Sequence, residues 1–284
     1  MEKRTEGYGL IEGPVWDPDR GLLFSDVLLG GVHCLAPDGA VHTVFAHRRG
    51  IGGMALHDAG GLIVSGRNIS FKSFTPGDTI TVLDKDEENG NIGYNDLTTD
   101  AEGRIYAGSL GSSPVFDDGR EPQAGALHLI DLDGSARIVG EDVLLTNGLG
   151  FSPDGKTLYH SDTRRQTVFC YSVAADGSLG EKRPFATVDT GSPDGLVVSE
   201  DGAVWVALAG GYGVRVFEAT GAFRERIEIP LPMCTSLCFG GDDLKDLYIV
   251  TGSDGADSDK AGAIFRCRTD VAGLPVPAAK VPIG

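Results

Sequence analysis

The sequence predicts an all-β fold, a six-bladed β-propeller with four-stranded antiparallel blades around one central axis. Three observations predict it. A turn glycine or its equivalent recurs near positions 21, 61, 103, 155, 202 and 244, a period of roughly 40 to 50 residues in six copies, within the propeller range. Each turn is followed by a short run rich in β-branched and aromatic residues, and then by a second hairpin. No ten-residue stretch shows convincing apolar spacing at i, i+3, i+4 and i+7, which disfavours helix-covered parallel sheets. A β-sandwich would tolerate the strand count but not the six-fold register.

The six runs are Leu22 to Ser25, Leu62 to Ser65, Arg104 to Ala107, Leu158 to Ser161, Val204 to Ala207 and Leu247 to Val250. The second hairpins follow in turn. Val32 to Leu35 pairs with Val41 to Val44 across Asp38-Gly39, and Ala126 to Ile130 precedes Asp133-Gly134. Val168 to Tyr171 precedes Asp176-Gly177, and Val214 to Phe217 precedes Thr220-Gly221. Asp-Gly between alternating apolar residues is a strong hairpin signal. Two hairpins per copy make one blade, and six blades use nearly all of residues 1–284 as a single domain without a linker.

One position per copy then becomes informative. Glu12, Asn95, Asn147 and Asp194 each stand eight or nine residues before a turn glycine, with Gly52 and Thr235 in the same register. A repeat that fixes one position per copy can bring all six to the axis. Two carboxylates and two amides meeting there read as a metal-binding site for a hard cation, Ca²⁺ or Mg²⁺ with Mn²⁺ as an alternative; neither Cys nor His joins them. A carboxylate at Glu12, in the apolar and turn sequence Ile11-Glu12-Gly13-Pro14, needs a cation or a hydrogen-bond network once buried. Simpler readings exist for each residue alone: a loop-tip acid for Glu12, left-handed turn residues for Asn95 and Asn147, and a plain Pro-Asp-Gly turn for Asp194. The shared register favours the site.

The net charge of −17 repels phosphodiester backbones and anionic membrane surfaces, so neither nucleic acid nor membrane is an expected partner. The five cysteines form no paired metal or redox motif and read as small buried hydrophobes. The N-terminus has no apolar leader and the chain has no run of 18 apolar residues, which makes the cytoplasm the default location. The stretch Asp84 to Gly90 departs from a calcium-binding EF-hand loop, and a solvated acidic loop is expected. Nucleophile-elbow, zincin and phosphate-loop motifs are absent. The six histidines, His33, His42, His47, His57, His128 and His160, lie mostly in or beside strands and support no triad.

On these residues the chain resembles the family that joins senescence marker protein (regucalcin), gluconolactonase and luciferin-regenerating enzyme. The resemblance is carried by Glu12-Gly13-Pro14-Val15-Trp16, by Asn95-Asp96 with Asp100 to Gly108, by Asn147-Gly148-Leu149 with Ser152 to Tyr159, and by Pro193-Asp194-Gly195 with Asp201 to Ala207. It implies a propeller with one axial divalent cation, calcium first and magnesium, manganese, zinc or iron as alternatives, held by Glu12, Asn147 and Asp194 with Asn95 in or near the coordination sphere. It also implies lactone hydrolysis, in which Lewis acidity toward the carbonyl comes from the ion, Asp194 is general base, and Asn95 and Asp96 orient the substrate. The expected partner is a small-molecule lactone, and the expected state a monomer or small homo-oligomer. Phosphotriester hydrolysis at the same site and a non-enzymatic, calcium-stapled binding propeller are the alternatives. One departure stands out. Sugar-lactone members carry an arginine where this chain has Gly93, which turns the expectation toward less hydroxylated lactones, with Tyr94, Arg67, Arg48 or Arg120 as substitute donors.

Overall fold

A computed structural model of the chain describes residues 1–46, 48–114 and 121–284. It contains six four-stranded antiparallel sheets, and the only helical elements among the described residues are two three-residue 3₁₀ turns. The first strands of the six blades are Ile11–Asp17, Met54–His57, Gly93–Thr99, Thr146–Phe151, Ser192–Val198 and Cys234–Gly240. Each touches the first strand of both neighbouring blades, closing a ring around the axis. The six predicted runs form the second strands, immediately outside that ring, and each predicted second hairpin supplies the outer strands.

Ring closure uses a strand that the repeat pattern did not reveal. Glu2–Tyr8 pairs antiparallel with Gly262–Arg268 and becomes the outermost strand of the sixth blade. Its charged, largely exposed sequence hides the strand from a search for apolar runs. Covering the edge of the last sheet with the first strand of the chain ties the two ends of the ring together and removes an open edge.

The apolar core lies between blades. One cluster packs Trp205, Val216 and Leu237 with Phe239, Ile249 and Phe265 across the fifth and sixth blades, and another joins Ile63, Phe71 and Ile105 with Ile130 across the second and third. The five cysteines are free thiols, with Cys34, Cys234 and Cys238 buried as small hydrophobes. After the last strand the chain crosses one end of the axis. Leu274 N donates to Val198 O at 2.9 Å, the Thr99 hydroxyl donates to Pro277 O, and Ala279 N donates to Leu56 O at 2.7 Å. The strap thus joins blades five, three and two.

A candidate metal centre on the propeller axis

Glu12, Asn95, Asn147 and Asp194 lie within the first turns of four first strands, where regular pairing breaks. The register with the second strand shifts between Glu12 and Val15, between Tyr94 and Leu97, between Thr146 and Leu149, and between Pro193 and Leu196. A bulge of this kind re-aims side chains that a regular strand would send to the inter-blade core. Neither asparagine has a left-handed backbone, so the turn reading of Asn95 and Asn147 is excluded. A glycine follows three of the four donors: Gly13 has a left-handed backbone (φ +54°), and close packing of the ring explains the other two. A Cβ at Gly148 would lie 2.1 Å from Leu196 N, and one at Gly195 would lie 2.1 Å from Ser236 Oγ.

The entry to two of these strands is held by a buried carboxylate. Buried Asp26 accepts Gly9 N at 2.9 Å and Leu10 N at 3.3 Å, immediately before the Glu12 strand. Asp162 accepts Leu144 N at 3.0 Å and Leu145 N at 3.2 Å, immediately before the Asn147 strand, and pairs with Arg165 at 2.6 Å.

Two of the donors are in direct contact. Asn95 Nδ2 donates to Asn147 Oδ1 and to Thr146 O, both at 2.8 Å. Asn147 Nδ2 in turn donates to Thr163 Oγ1 at 2.7 Å. Asn147 and Asp194 are 7% and 4% exposed, and Asp194 Oδ1 is a buried atom without a hydrogen-bond partner. The electrostatics agree with the geometry. Burial pushes the Glu12 carboxyl well above the usual range, with further contributions from Asp194 and Asp96. Burial and then Asp96 do the same to Asp194, and burial raises Asp96 to about 7.

Buried carboxylates without a basic partner are costly as anions, and a cation at their meeting point relieves both desolvation and repulsion. The unpartnered Asp194 oxygen and the all-oxygen donor set therefore fit a hard divalent ion. Among the described residues no three His, Cys, Asp or Glu side chains form a metal-ligating group.

The other predicted residues separate. Asp96 lines a cavity of about 1210 Å³ that runs toward the strapped end of the axis, among Trp16, Phe151 and Phe239, and includes none of Glu12, Asn95, Asn147 or Asp194. This cavity thus lies beyond the four donors, and the chemistry of the donors, not the cavity, marks the site. Tyr94 turns away from the axis. It is 2% exposed, its hydroxyl donates to Asp84 O at 2.9 Å and its ring packs edge-on to His128. This placement makes Tyr94 a blade-packing residue and removes it from the substrate contacts proposed below.

Gly93 has a structural reason: a side chain there would place Cβ 2.7 Å from Gly66 O. That same Cβ position is 3.5 Å from the Cα of Arg67, whose side chain is exposed. Half-buried Arg48 lies next to it, its Nη2 donating to Ser65 O at 3.3 Å and to Asn68 Oδ1 at 3.0 Å. Arg120 and His47 lie outside the described residues. Sequence reasoning missed Thr163, Thr146 and Ser65. Ser65 Oγ accepts Gly53 N at 2.8 Å and donates to Asn95 O. Ser and Thr in a strand or loop carry no signal by themselves, and their partners are distant in sequence.

Comparison with known proteins gives the family. Residues 10–253 match the model of the SMP-30/gluconolactonase/LRE-like region. The chain is 31% identical to 6-deoxy-6-sulfogluconolactonase of Pseudomonas putida over 280 residues, covering 94% of each chain. It is 29% identical to pentonolactonase XacC of Haloferax volcanii, covering 94% of this chain and 93% of that one. The crystal structure of a calcium-binding protein, regucalcin, from Agrobacterium tumefaciens superposes with a TM-score of 0.86 at 23% identity, covering 99% and 98% of the two chains, and so shares the fold. No helix among the described residues is long and apolar enough to cross a membrane. With the family region spanning most of its length and a relative above 30% identity end to end, the chain belongs to the SMP-30/gluconolactonase/LRE-like family.

Proposed function

We propose that this protein is a divalent-cation-dependent lactonase acting on small sugar lactones. The observation that carries the reading is the buried, unpartnered Asp194 Oδ1 beside Glu12 and the Asn95–Asn147 pair, in a chain whose relatives are named as lactonases. Glu12, Asn147 and Asp194 would hold the ion, with Asn95 alongside, and calcium is the first choice because the donors are hard oxygens. When bound, the ion supplies Lewis acidity toward the lactone carbonyl.

The protein's own groups do the remaining work. Asp194 takes the proton of the attacking water at a carboxylate oxygen, a contribution of about 10² to 10⁴ in rate for a placed base. Asn95, tied by its amide to Thr146 O and Asn147, is held in a fixed orientation toward the substrate. Arg67 and Arg48, flanking Gly93, supply donors for substrate hydroxyls in place of a side chain at position 93.

Turnover of a panel of sugar lactones, simple apolar lactones and phosphotriesters, with and without chelator, tests this. Chelator-sensitive opening of sugar lactones is expected. Chelator-insensitive turnover, or turnover of phosphotriesters alone, would overturn it.

A further inference from the structure

We infer that Thr163 is a positioning residue that sets the amide orientation of Asn147 and ties it to the strand carrying Asp194; the inference rests on the cation-site reading above. Thr163 opens the 3₁₀ turn Thr163–Arg165, beyond the second strand of the fourth blade. Its hydroxyl makes two bonds of opposite sense. Oγ1 donates to Pro193 O at 2.8 Å and accepts Asn147 Nδ2 at 2.7 Å.

Proton counting sets the orientation of both amides. A hydroxyl has one proton to give, and a backbone carbonyl can only accept. With that proton committed to Pro193 O, Thr163 can only accept from Asn147, which must present Nδ2 to it. Oδ1 is then left on the side where it meets Asn95 Nδ2. The Asn95 amide is oriented the same way, because its Nδ2 also meets a carbonyl, Thr146 O. Each of the two amides is therefore held in a single orientation by a carbonyl, and the oxygen of Asn147 is the atom offered as donor.

Pro193 is the residue before Asp194, so the same hydroxyl also anchors the peptide that carries the second ligand. The turn itself is anchored. Asp162 caps it and holds Arg165, whose Nη2 reaches Asp142 Oδ1 at 2.6 Å. Outer partners of this kind typically change metal affinity by about 10 to 100-fold when removed.

The test uses the full chain stripped of metal by chelation and titrated with CaCl₂ by calorimetry, for wild type, Thr163→Val, Thr163→Ser and Thr163→Ala. Thermal unfolding in chelator is recorded in parallel. Thr163→Val and Thr163→Ala should weaken the calcium dissociation constant by about 10-fold or more, and Thr163→Ser should stay within about 3-fold of wild type, since it keeps both bonds. Wild-type-like calcium affinity in a folded Thr163→Val or Thr163→Ala overturns the positioning role while the cation site stands. Weakening in Thr163→Ser equal to that in Thr163→Val overturns it too, because keeping the hydroxyl would then protect nothing and the packing of the whole side chain, not its two hydrogen bonds, would set the affinity. Absence of calcium binding in the wild type overturns the cation-site reading and this inference with it.

Discussion

The amide of Asn95 donates to the side-chain oxygen of Asn147 across two neighbouring blades, and the same nitrogen donates to the carbonyl of Thr146. One side chain therefore satisfies two acceptors at the closest approach of two first strands. Replacing it with the near-isosteric Asn95→Leu leaves both acceptors without a donor. Metal-free protein should lose about 1–3 kcal/mol of stability, the usual cost of an unsatisfied buried polar group, measured by urea unfolding in chelator. An unchanged midpoint would show that solvent replaces the amide there.

The second prediction concerns pH and metal. Glu12, Asp96 and Asp194 all have folded-state carboxyls raised above their unfolded values, with Asp96 near 7. The folded chain then holds protons that the unfolded chain releases, so the contribution of these groups is largest at acid pH. It is lost as pH rises from the unfolded carboxylate range, about 4, through neutrality. In chelator the melting temperature should be lower at about pH 7.5 than at about pH 5.5, and saturating calcium should shrink or reverse the difference, because the ion binds the ionised form. A chelated protein that is more stable at the higher pH, or a melting temperature indifferent to calcium, would contradict the site.

A contrast between two ligands separates base from holder. Asp194→Asn keeps an oxygen donor and removes a raised carboxyl, so its metal-free form should melt no lower than wild type while kcat falls at least about 100-fold, the scale of a lost general base. Asn147→Ala should act through metal affinity, and excess calcium should restore part of its activity. If excess calcium restores Asp194→Asn just as fully, Asp194 serves as ligand alone.

Specificity is expected to reside beside Gly93. Since a Cβ at that position would strike Gly66 O, the donors must come from elsewhere, and Arg67 is the exposed cation next to it. Arg67→Met should reduce kcat/KM on hydroxyl-rich lactones by about 10-fold or more and leave simple apolar lactones within about 3-fold, since lost polar contacts act on the substrates that use them. Equal loss on both classes would assign Arg67 a structural role. Wild-type preference for apolar lactones would mean that neither Arg67 nor Arg48 replaces the donor missing at Gly93.

The sequence alone determined the fold class and the column of Glu12, Asn95, Asn147 and Asp194. Both follow from periodicity: a repeat that returns once per blade must send equivalent positions to equivalent places around an axis, and this needs no knowledge of contacts. Tertiary structure alone decided what those positions touch. The strand Glu2–Tyr8 was hidden because its polar sequence gains strand character only by pairing with Gly262–Arg268, far away in the chain. Tyr94 and Asp96 flank Asn95 in sequence, yet the Tyr94 hydroxyl bonds Asp84 O away from the axis while Asp96 lines the cavity and lies near enough to Glu12 and Asp194 to raise both. Successive residues of a strand point to opposite sides, and a bulge resets that alternation locally. Thr163 is 16 residues from Asn147 and 30 from Pro193, and only the packing of adjacent blades brings its hydroxyl between them. Local pattern records the backbone's period, whereas the hydrogen-bond partners of buried polar groups depend on which blades meet, a relationship that no single segment of sequence contains.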